Sequence, residues 1–234
     1  MAVLIALFFA FVIFLFTLFI LSREDFVFTR KNIPMEEIYN ICFLLIPFIF
    51  FFSRLLFVVF DFNAAFSNPL VFLAIWHYPG LSLLGAVAGL ITGLLLICGV
   101  KKISVIDRIL DIFSLSFFGA ISFGVRVGSL IFSFGTWFVF GKELVFTILF
   151  ILMFFLLLHF FLKEKFKDGS ILLLFVLAFS VLTFLSKTIG NPKYLFTLLK
   201  GEGSILVIAA VASSILFIKR EKLQFKFTNI FKKR

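Results

Sequence analysis

The sequence has few charged residues for its length. Only 15% of its 234 residues are charged, whereas 63% are hydrophobic and the mean hydropathy is +1.23. A soluble domain needs a more polar surface than this, so the composition excludes an ordinary soluble protein. The bilayer must be the main solvent of such a chain, and helices are the simplest way to satisfy its backbone there. We therefore expect an all-α, multi-pass membrane protein.

Cysteine and histidine are also scarce, with two of each. Cys42 and Cys98 lie in apolar stretches, and their spacing predicts neither a disulfide framework nor a zinc site. His159 lies in an apolar stretch and is expected to be structural, whereas His77 lies in a loop from which it could reach a substrate. The sequence contains no phosphate-cradling glycine loop and no soluble basic domain. It therefore predicts no cofactor, no metal and no nucleic-acid partner.

Seven apolar segments are long enough to cross a bilayer. They are predicted over residues 1–22, 39–60, 81–100, 109–125, 144–162, 169–186 and 203–218. Together they form one transmembrane domain over residues 1–218, followed by a basic tail over 219–234. One helix from 109 to 141 would be too long for a bilayer, so we expect a break near Arg126 and then an interfacial or re-entrant segment.

Basic residues gather on alternate sides of these spans. With the N-terminus outside, the cytoplasmic side receives residues 23–38, 101–108, 163–168 and 219–234. These segments hold 16 of the 22 lysine and arginine residues. Because basic residues concentrate in cytoplasmic loops, the distribution predicts an external N-terminus and a cytoplasmic C-terminus.

One apolar segment carries a single charge. Residues 119–135 read GAISFGVRVGSLIFSFG, with Arg126 between Gly124 and Gly128. The two glycines form a G-x-x-x-G pair, which predicts that another helix approaches closely. An arginine at membrane depth faces protein or a wet cavity, and its planar fork suits phosphate or carboxylate. The alternative is an arginine that extends to the membrane surface or pairs with a backbone carbonyl.

A second pattern of small residues lies in the third predicted span. Ser82, Gly85, Gly89 and Gly93 recur there at helical spacing. Small residues along one helix face let a neighbouring helix come close. We therefore predict that Gly85 and Gly89 are structural glycines.

Three cations fall at similar depth near the outer side of the predicted bundle. They are Arg54, Arg126 and Lys187, which belong to three different segments. Glu143 follows Lys142 directly and is interpreted as half of a solvated ion pair, which leaves the three cations short of acidic partners. Such a cluster predicts a site for an anionic lipid head group. The alternative is three unrelated side chains that extend to the surface.

Several stretches, in order along nearly the whole chain, resemble the bacterial prolipoprotein diacylglyceryl transferases. They are SRLLFVVF at 53–60, Asn68-Pro69-Leu70, Ile75-Trp76, Gly80-Leu81-Ser82, Arg126-Val127-Gly128 and Gly203-Ser204-Ile205-Leu206. The block from 53 to 89 is the most specific part of the resemblance. Arg126-Val127-Gly128 is similar to the core of that family's Arg-x-Gly-Asn-Phe motif.

The resemblance implies an activity, a location and partners. The family transfers diacylglyceryl from phosphatidylglycerol to the lipobox cysteine of a prolipoprotein, in the bacterial plasma membrane. The expected partners are therefore phosphatidylglycerol, the bilayer and a prolipoprotein signal peptide. Arg126 and Arg54 would hold the phosphate and glycerol of the lipid. Lys187, Ser82 and Ser129 are the other candidate head-group residues.

The chain also departs from the family pattern. Leu84 stands where the family has a histidine, and Ser129 where it has an asparagine. Phe132 and Phe134 replace an asparagine and a glutamate. Because no base is evident on the Arg126 segment, we expect weak or absent transfer. Two hypotheses stay open: a divergent transferase, or a catalytically degenerate protein of the same fold that binds anionic lipid or assists assembly.

Overall fold

The protein is a bundle of helices that matches the predicted all-α class. The computed structural model describes residues 2–60, 80–127, 137–189 and 201–221. Its α-helices are α1 Ala2–Arg23, α2 Phe26–Arg30, α3 Met35–Phe60, α4 Leu83–Val100, α5 Ile106–Gly119, α6 Trp137–Leu162, α7 Ser170–Thr188 and α8 Glu202–Glu221. Six described helices are long and apolar enough to cross a membrane, and α1 adds a shorter apolar stretch, Leu7–Arg23. The all-α prediction is confirmed.

The centre of the bundle is α5 and its continuation. After Gly119 the helix widens into a π-helical segment, Ala120–Arg126, so that together they run over Ile106–Arg126. Most of this stretch is buried, because α1, α4, α6 and α7 surround it. Gly124 lies against α1, where an added Cβ would come within 2.3 Å of the Cα of Ala10. Wide helical turns of this kind often mark functional sites.

The chain is helical up to the region of the predicted break. The helix changes to π geometry over Ala120–Arg126 and is still helical at Val127, so a break after this point stays a prediction. Residues 128–136, which include Gly128 and Ser129, lie outside the described residues. Helix α6 begins at Trp137, earlier than the predicted start at residue 144. Glu143 therefore lies within a helix that is long and apolar enough to cross a membrane.

Helices α3 and α4 pack closely through the small residues of α4. A Cβ on Gly85 would lie 2.4 Å from the carbonyl oxygen of Phe52, and one on Gly89 would lie 2.6 Å from that of Phe48. Ser53 and Ser82 join the same helices, since the Ser53 hydroxyl donates to the Ser82 carbonyl at 2.8 Å. The Ser82 amide in turn donates to the Ser53 carbonyl at 3.1 Å. These contacts fix the start of α4.

A network of charges ties the loops together at one end of the bundle. Arg108 donates from Nε to Asp25 at 2.7 Å and from Nη1 to Asp168 at 3.2 Å. Asp111 accepts hydrogen bonds from the amides of Gly169 at 2.6 Å and Leu172 at 2.8 Å. It thereby supplies an acceptor to backbone N–H groups at the start of α7 that have no partner within the helix. These loops are those predicted to be cytoplasmic. A second set of polar groups, which includes Arg126 and Lys187, lies at the opposite end of the bundle.

Candidate functional site

A polar cavity of about 550 Å³ lies where α3, α4, the π-helical segment, α6, α7 and α8 meet. Its described lining is Phe57, Phe60, Leu81, Ser82, Leu83, Val125, Arg126, Glu143, Thr183, Ser186, Lys187 and Glu202. This lining contains two cations and two carboxylates. The cavity therefore offers both anion-binding and proton-accepting groups inside an otherwise apolar bundle.

Arg126 is held on one wall of the cavity. Its Nη1 donates to Glu143 Oε2 at 3.2 Å, and the side chain is 11% exposed. The guanidinium carbon lies 4.6 Å from the ring centroid of Phe150, a cation–π contact. The interpretation of Glu143 as a solvated partner of Lys142 was wrong. So was the prediction that Arg126 is short of acidic partners, because the early turns of α6 bring a carboxylate to it.

Lys187 also lines the cavity and lies in the last turn of α7. Its ammonium pairs with the carboxylate of Glu202 in the first turn of α8. The prediction that this cation lacks an acidic partner was therefore also wrong. The side chains of Glu143 and Glu202 are 24% and 20% exposed. Each cation thus has a carboxylate that an incoming anion would have to displace.

Hydroxyl groups complete the polar lining. Thr183 is 5% exposed, and its Oγ1 has no hydrogen-bond partner among the described residues. It lies one helical turn before Lys187, on the same face of α7. Ser82 caps α4 by accepting a hydrogen bond from the Gly85 amide at 3.3 Å. A buried hydroxyl without a partner favours a ligand that supplies one.

The other candidate residues lie elsewhere. Arg54 is 1% exposed and does not line the polar cavity; its Nη1 donates to the Gly80 carbonyl at 2.8 Å. Arg54 thereby holds the chain that leads into Ser82. Leu84, for which the resemblance implies a histidine in the family, is 7% exposed and lines neither this cavity nor the neighbouring apolar cavity. His77 lies outside the described residues.

An apolar cavity of about 300 Å³ lies beside the polar one. Side chains of α1, α3, α4, α5 and the π-helical segment line it, among them Phe14, Ile46 and Ile121. Both cavities share Leu81, Ser82, Leu83 and Val125 as lining residues. The site therefore joins a charged compartment to a hydrocarbon-lined one, as an amphiphile requires.

Sequence reasoning missed four polar residues of the site. Glu143 was assigned to solvent, while Glu202, Thr183 and Ser186 were not selected at all. The one available signal was Thr183 and Lys187 at a spacing of four on an apolar helix, which places both on one face. No local pattern indicates which carboxylate approaches which cation, since each ion pair joins two helices.

Fold and site together define a class: a multi-pass helical membrane protein with a polar cavity next to an apolar one. Comparison with family models identifies the family. Residues 2–220 match the model described as prolipoprotein diacylglyceryl transferase, and the chain belongs to that family. The resemblance noted in the sequence is therefore confirmed. Searches of curated proteins and of solved structures found no significant match.

Proposed function

We propose that this protein transfers the diacylglyceryl group of phosphatidylglycerol to the lipobox cysteine of prolipoproteins, in the plasma membrane of a bacterium. Family membership supports the reaction class. One structural observation carries the proposal further: the polar and apolar cavities meet at Ser82, Leu83 and Val125. A phospholipid could place its head group in one cavity and an acyl chain in the other.

The polar lining suits a phosphate ester. Arg126 would hold the phosphate through its planar fork, and Lys187 would add a second positive charge. The Thr183 and Ser82 hydroxyls, which line the same cavity, would contact the glycerol oxygens. Arg54 would act through Gly80 by fixing the chain before Ser82. Ser129, at the position of the family's asparagine, stays a predicted head-group residue outside the described part of the chain.

The proposed reaction makes two demands on the site. The thiol must lose its proton, and the departing glycerol phosphate must be stabilised as its carbon–oxygen bond breaks. Arg126 and Lys187 meet the second demand by placing positive charge beside the leaving phosphate. The expectation of weak transfer depended on the absence of a base on the Arg126 segment. A carboxylate of another helix lies beside that segment, since Glu143 is 3.2 Å from Arg126.

A transfer assay tests the proposal. The purified protein is placed in vesicles of phosphatidylglycerol with a lipobox peptide, and formation of the thioether-linked diacylglyceryl peptide is followed by mass spectrometry. We expect turnover that is lost in the Arg126→Ala variant. Wild-type protein that retains phosphatidylglycerol but forms no lipidated peptide would contradict the transferase function.

A second candidate function is binding of anionic lipid without chemistry. The observation that favours it is Leu84, which fills the family's histidine position with a buried apolar side chain. In this case the wild type would retain phosphatidylglycerol selectively, and the same assay would show no transfer in the wild type or in any cavity variant.

A further inference from the structure

Within the described lining of the polar cavity, the groups able to accept a proton at neutral pH are two carboxylates, Glu143 and Glu202. Arginine is not deprotonated in proteins, so Arg126 cannot serve. The family's glutamate and histidine positions are Phe134 and Leu84 here. Any carboxylate that acts on a thiol in this cavity must therefore come from another part of the chain.

A loose ion pair with Arg126 holds Glu143 beside the position expected for the lipid phosphate. The 3.2 Å separation of Arg126 Nη1 and Glu143 Oε2 exceeds the about 2.7–2.9 Å that is typical of strong charge-assisted bonds. Arg126 itself is fixed, because it is buried and lies over the ring of Phe150. The carboxylate of Glu143 is more exposed than the guanidinium, at 24% against 11%. The pair can therefore open toward the cavity while Arg126 stays in place.

We propose that Glu143 is the general base of the transfer reaction and that the lipid phosphate releases it from Arg126. This inference rests on the proposed function. Phosphate and carboxylate compete for the same guanidinium, so arrival of the lipid exchanges one anion for the other. The displaced carboxylate is then next to the phosphate ester, where it can accept the proton of a thiol that approaches the same ester.

The step balances without any further reactant. The cysteine thiol gives its proton to a Glu143 oxygen, and the sulfur electron pair forms a bond to the carbon of the diacylglycerol part that carries the phosphate. The carbon–oxygen bond of that ester breaks, and its electron pair leaves on the phosphate of glycerol phosphate. Protonated Glu143 then returns the proton to this phosphate. The carboxylate is restored and pairs again with Arg126 when glycerol phosphate departs.

Glu143 fits this role better than Glu202. Glu202 pairs with Lys187, whose side chain is 38% exposed and stands on a flexible stem. The phosphate position is set by the rigid, stacked guanidinium of Arg126, and Glu143 is the carboxylate in contact with it. A base must lie within hydrogen-bond reach of the thiol at the reacting carbon, which favours the carboxylate nearest the phosphate.

The test separates lipid binding from proton transfer with a Glu143→Gln variant. Its retention of phosphatidylglycerol, measured by native mass spectrometry, should equal or exceed that of the wild type, because the competing anion is gone. Its transfer rate to a cysteine lipobox peptide should fall about 100-fold, the lower end of the range for general-base catalysis. The intact lipid binding also shows that the variant is folded.

A selenocysteine lipobox peptide supplies a readout that a structural defect would not change. A selenol is already ionised at neutral pH, so it needs no base. The ratio of Glu143→Gln rate to wild-type rate should rise from about 1 in 100 with cysteine to near unity with selenocysteine. Glu143→Asp should retain part of the cysteine rate. Glu164→Gln, at the opposite end of the bundle and 68% exposed, serves as the control and should match the wild type with both peptides.

Three results would overturn the inference. The first is a Glu143→Gln variant with wild-type turnover of the cysteine peptide. The second is an equal defect with both peptides, which would make Glu143 a structural or binding group. The third is recovery by selenocysteine in Glu202→Gln instead, which would assign the base to Glu202. In each of these cases the wild type still transfers lipid, so the proposed function stands. A wild-type protein without transfer would overturn both the proposed function and this inference.

Discussion

Glu143 Oε2 accepts a hydrogen bond from Arg126 Nη1 across a separation of 17 residues, and this contact brings α6 to the end of the π-helical segment. It gives the polar cavity its fixed positive charge together with a carboxylate that an anion can displace. The first prediction concerns that charge.

Replacing Arg126 with alanine should weaken selective retention of phosphatidylglycerol about tenfold or more. A hydrogen bond to a charged group contributes about 1.5–3 kcal/mol, and about 1.4 kcal/mol corresponds to tenfold in affinity. Native mass spectrometry with phosphatidylglycerol and phosphatidylcholine in competition measures the change. Arg30→Ala, an exposed position at the other end of the bundle, is the control and should keep the wild-type preference. An unchanged preference in Arg126→Ala would remove the head-group site.

Gly85→Ala should destabilise the protein by about 1–3 kcal/mol through overpacking. The new Cβ would lie 2.4 Å from a backbone oxygen of α3, which can move only with its helix. Gly99 is on the same helix but has nothing within 4 Å of an added Cβ, so Gly99→Ala is the matched control. Thermal unfolding in detergent compares the two. Equal unfolding temperatures would show that α3 and α4 do not need this close approach.

Arg108→Ala should cost about 3–5 kcal/mol of stability, since it leaves the buried carboxylate of Asp25 without its ion-pair partner. Lys101 forms an exposed pair with Glu37 at 3.8 Å, and Lys101→Ala should change stability by about 0–1 kcal/mol. Chemical unfolding followed by tryptophan fluorescence measures both. A loss for Arg108→Ala no greater than that for Lys101→Ala would refute the importance of the buried network.

Leu84→His, which introduces the histidine that the resemblance implies for the family at this position, should not raise the transfer rate. Leu84 is 7% exposed and lines neither cavity, so the imidazole would enter the core, where an unsatisfied polar group costs about 1–3 kcal/mol. Leu84→Met conserves volume and should stay close to the wild type. The proteoliposome assay and thermal unfolding measure the two effects. A clear rise in transfer by Leu84→His would mean that this position reaches the reacting atoms.

The membrane orientation is the fifth prediction. The concentration of basic residues in 23–38, 101–108, 163–168 and 219–234 predicts an external N-terminus and a cytoplasmic C-terminus. A single cysteine introduced in the tail of a cysteine-free variant should react with a membrane-impermeant reagent only after the cells are opened. One placed in residues 61–80 should react in intact cells. Labelling of the tail in intact cells would contradict the seven-span topology.

The sequence alone was enough for the all-α membrane fold and for the family. Apolar runs of spanning length are visible along the chain because every residue in a bilayer meets the same solvent. The glycine spacing of α4 and the single arginine near Gly124 likewise depend on helical periodicity, which is a local property. The same local reasoning indicated Arg126 and Lys187 as cations of interest, whatever their partners.

The partners themselves were decided by tertiary structure. Glu143 reaches Arg126, and Glu202 reaches Lys187, only because separate helices pack at particular angles and depths. Arg54 resembled the other two cations in sequence, yet packing buried it against the Gly80 carbonyl and away from the polar cavity. A one-dimensional pattern specifies the face of a helix on which a side chain lies, whereas the neighbour on that face depends on how the whole bundle fills space.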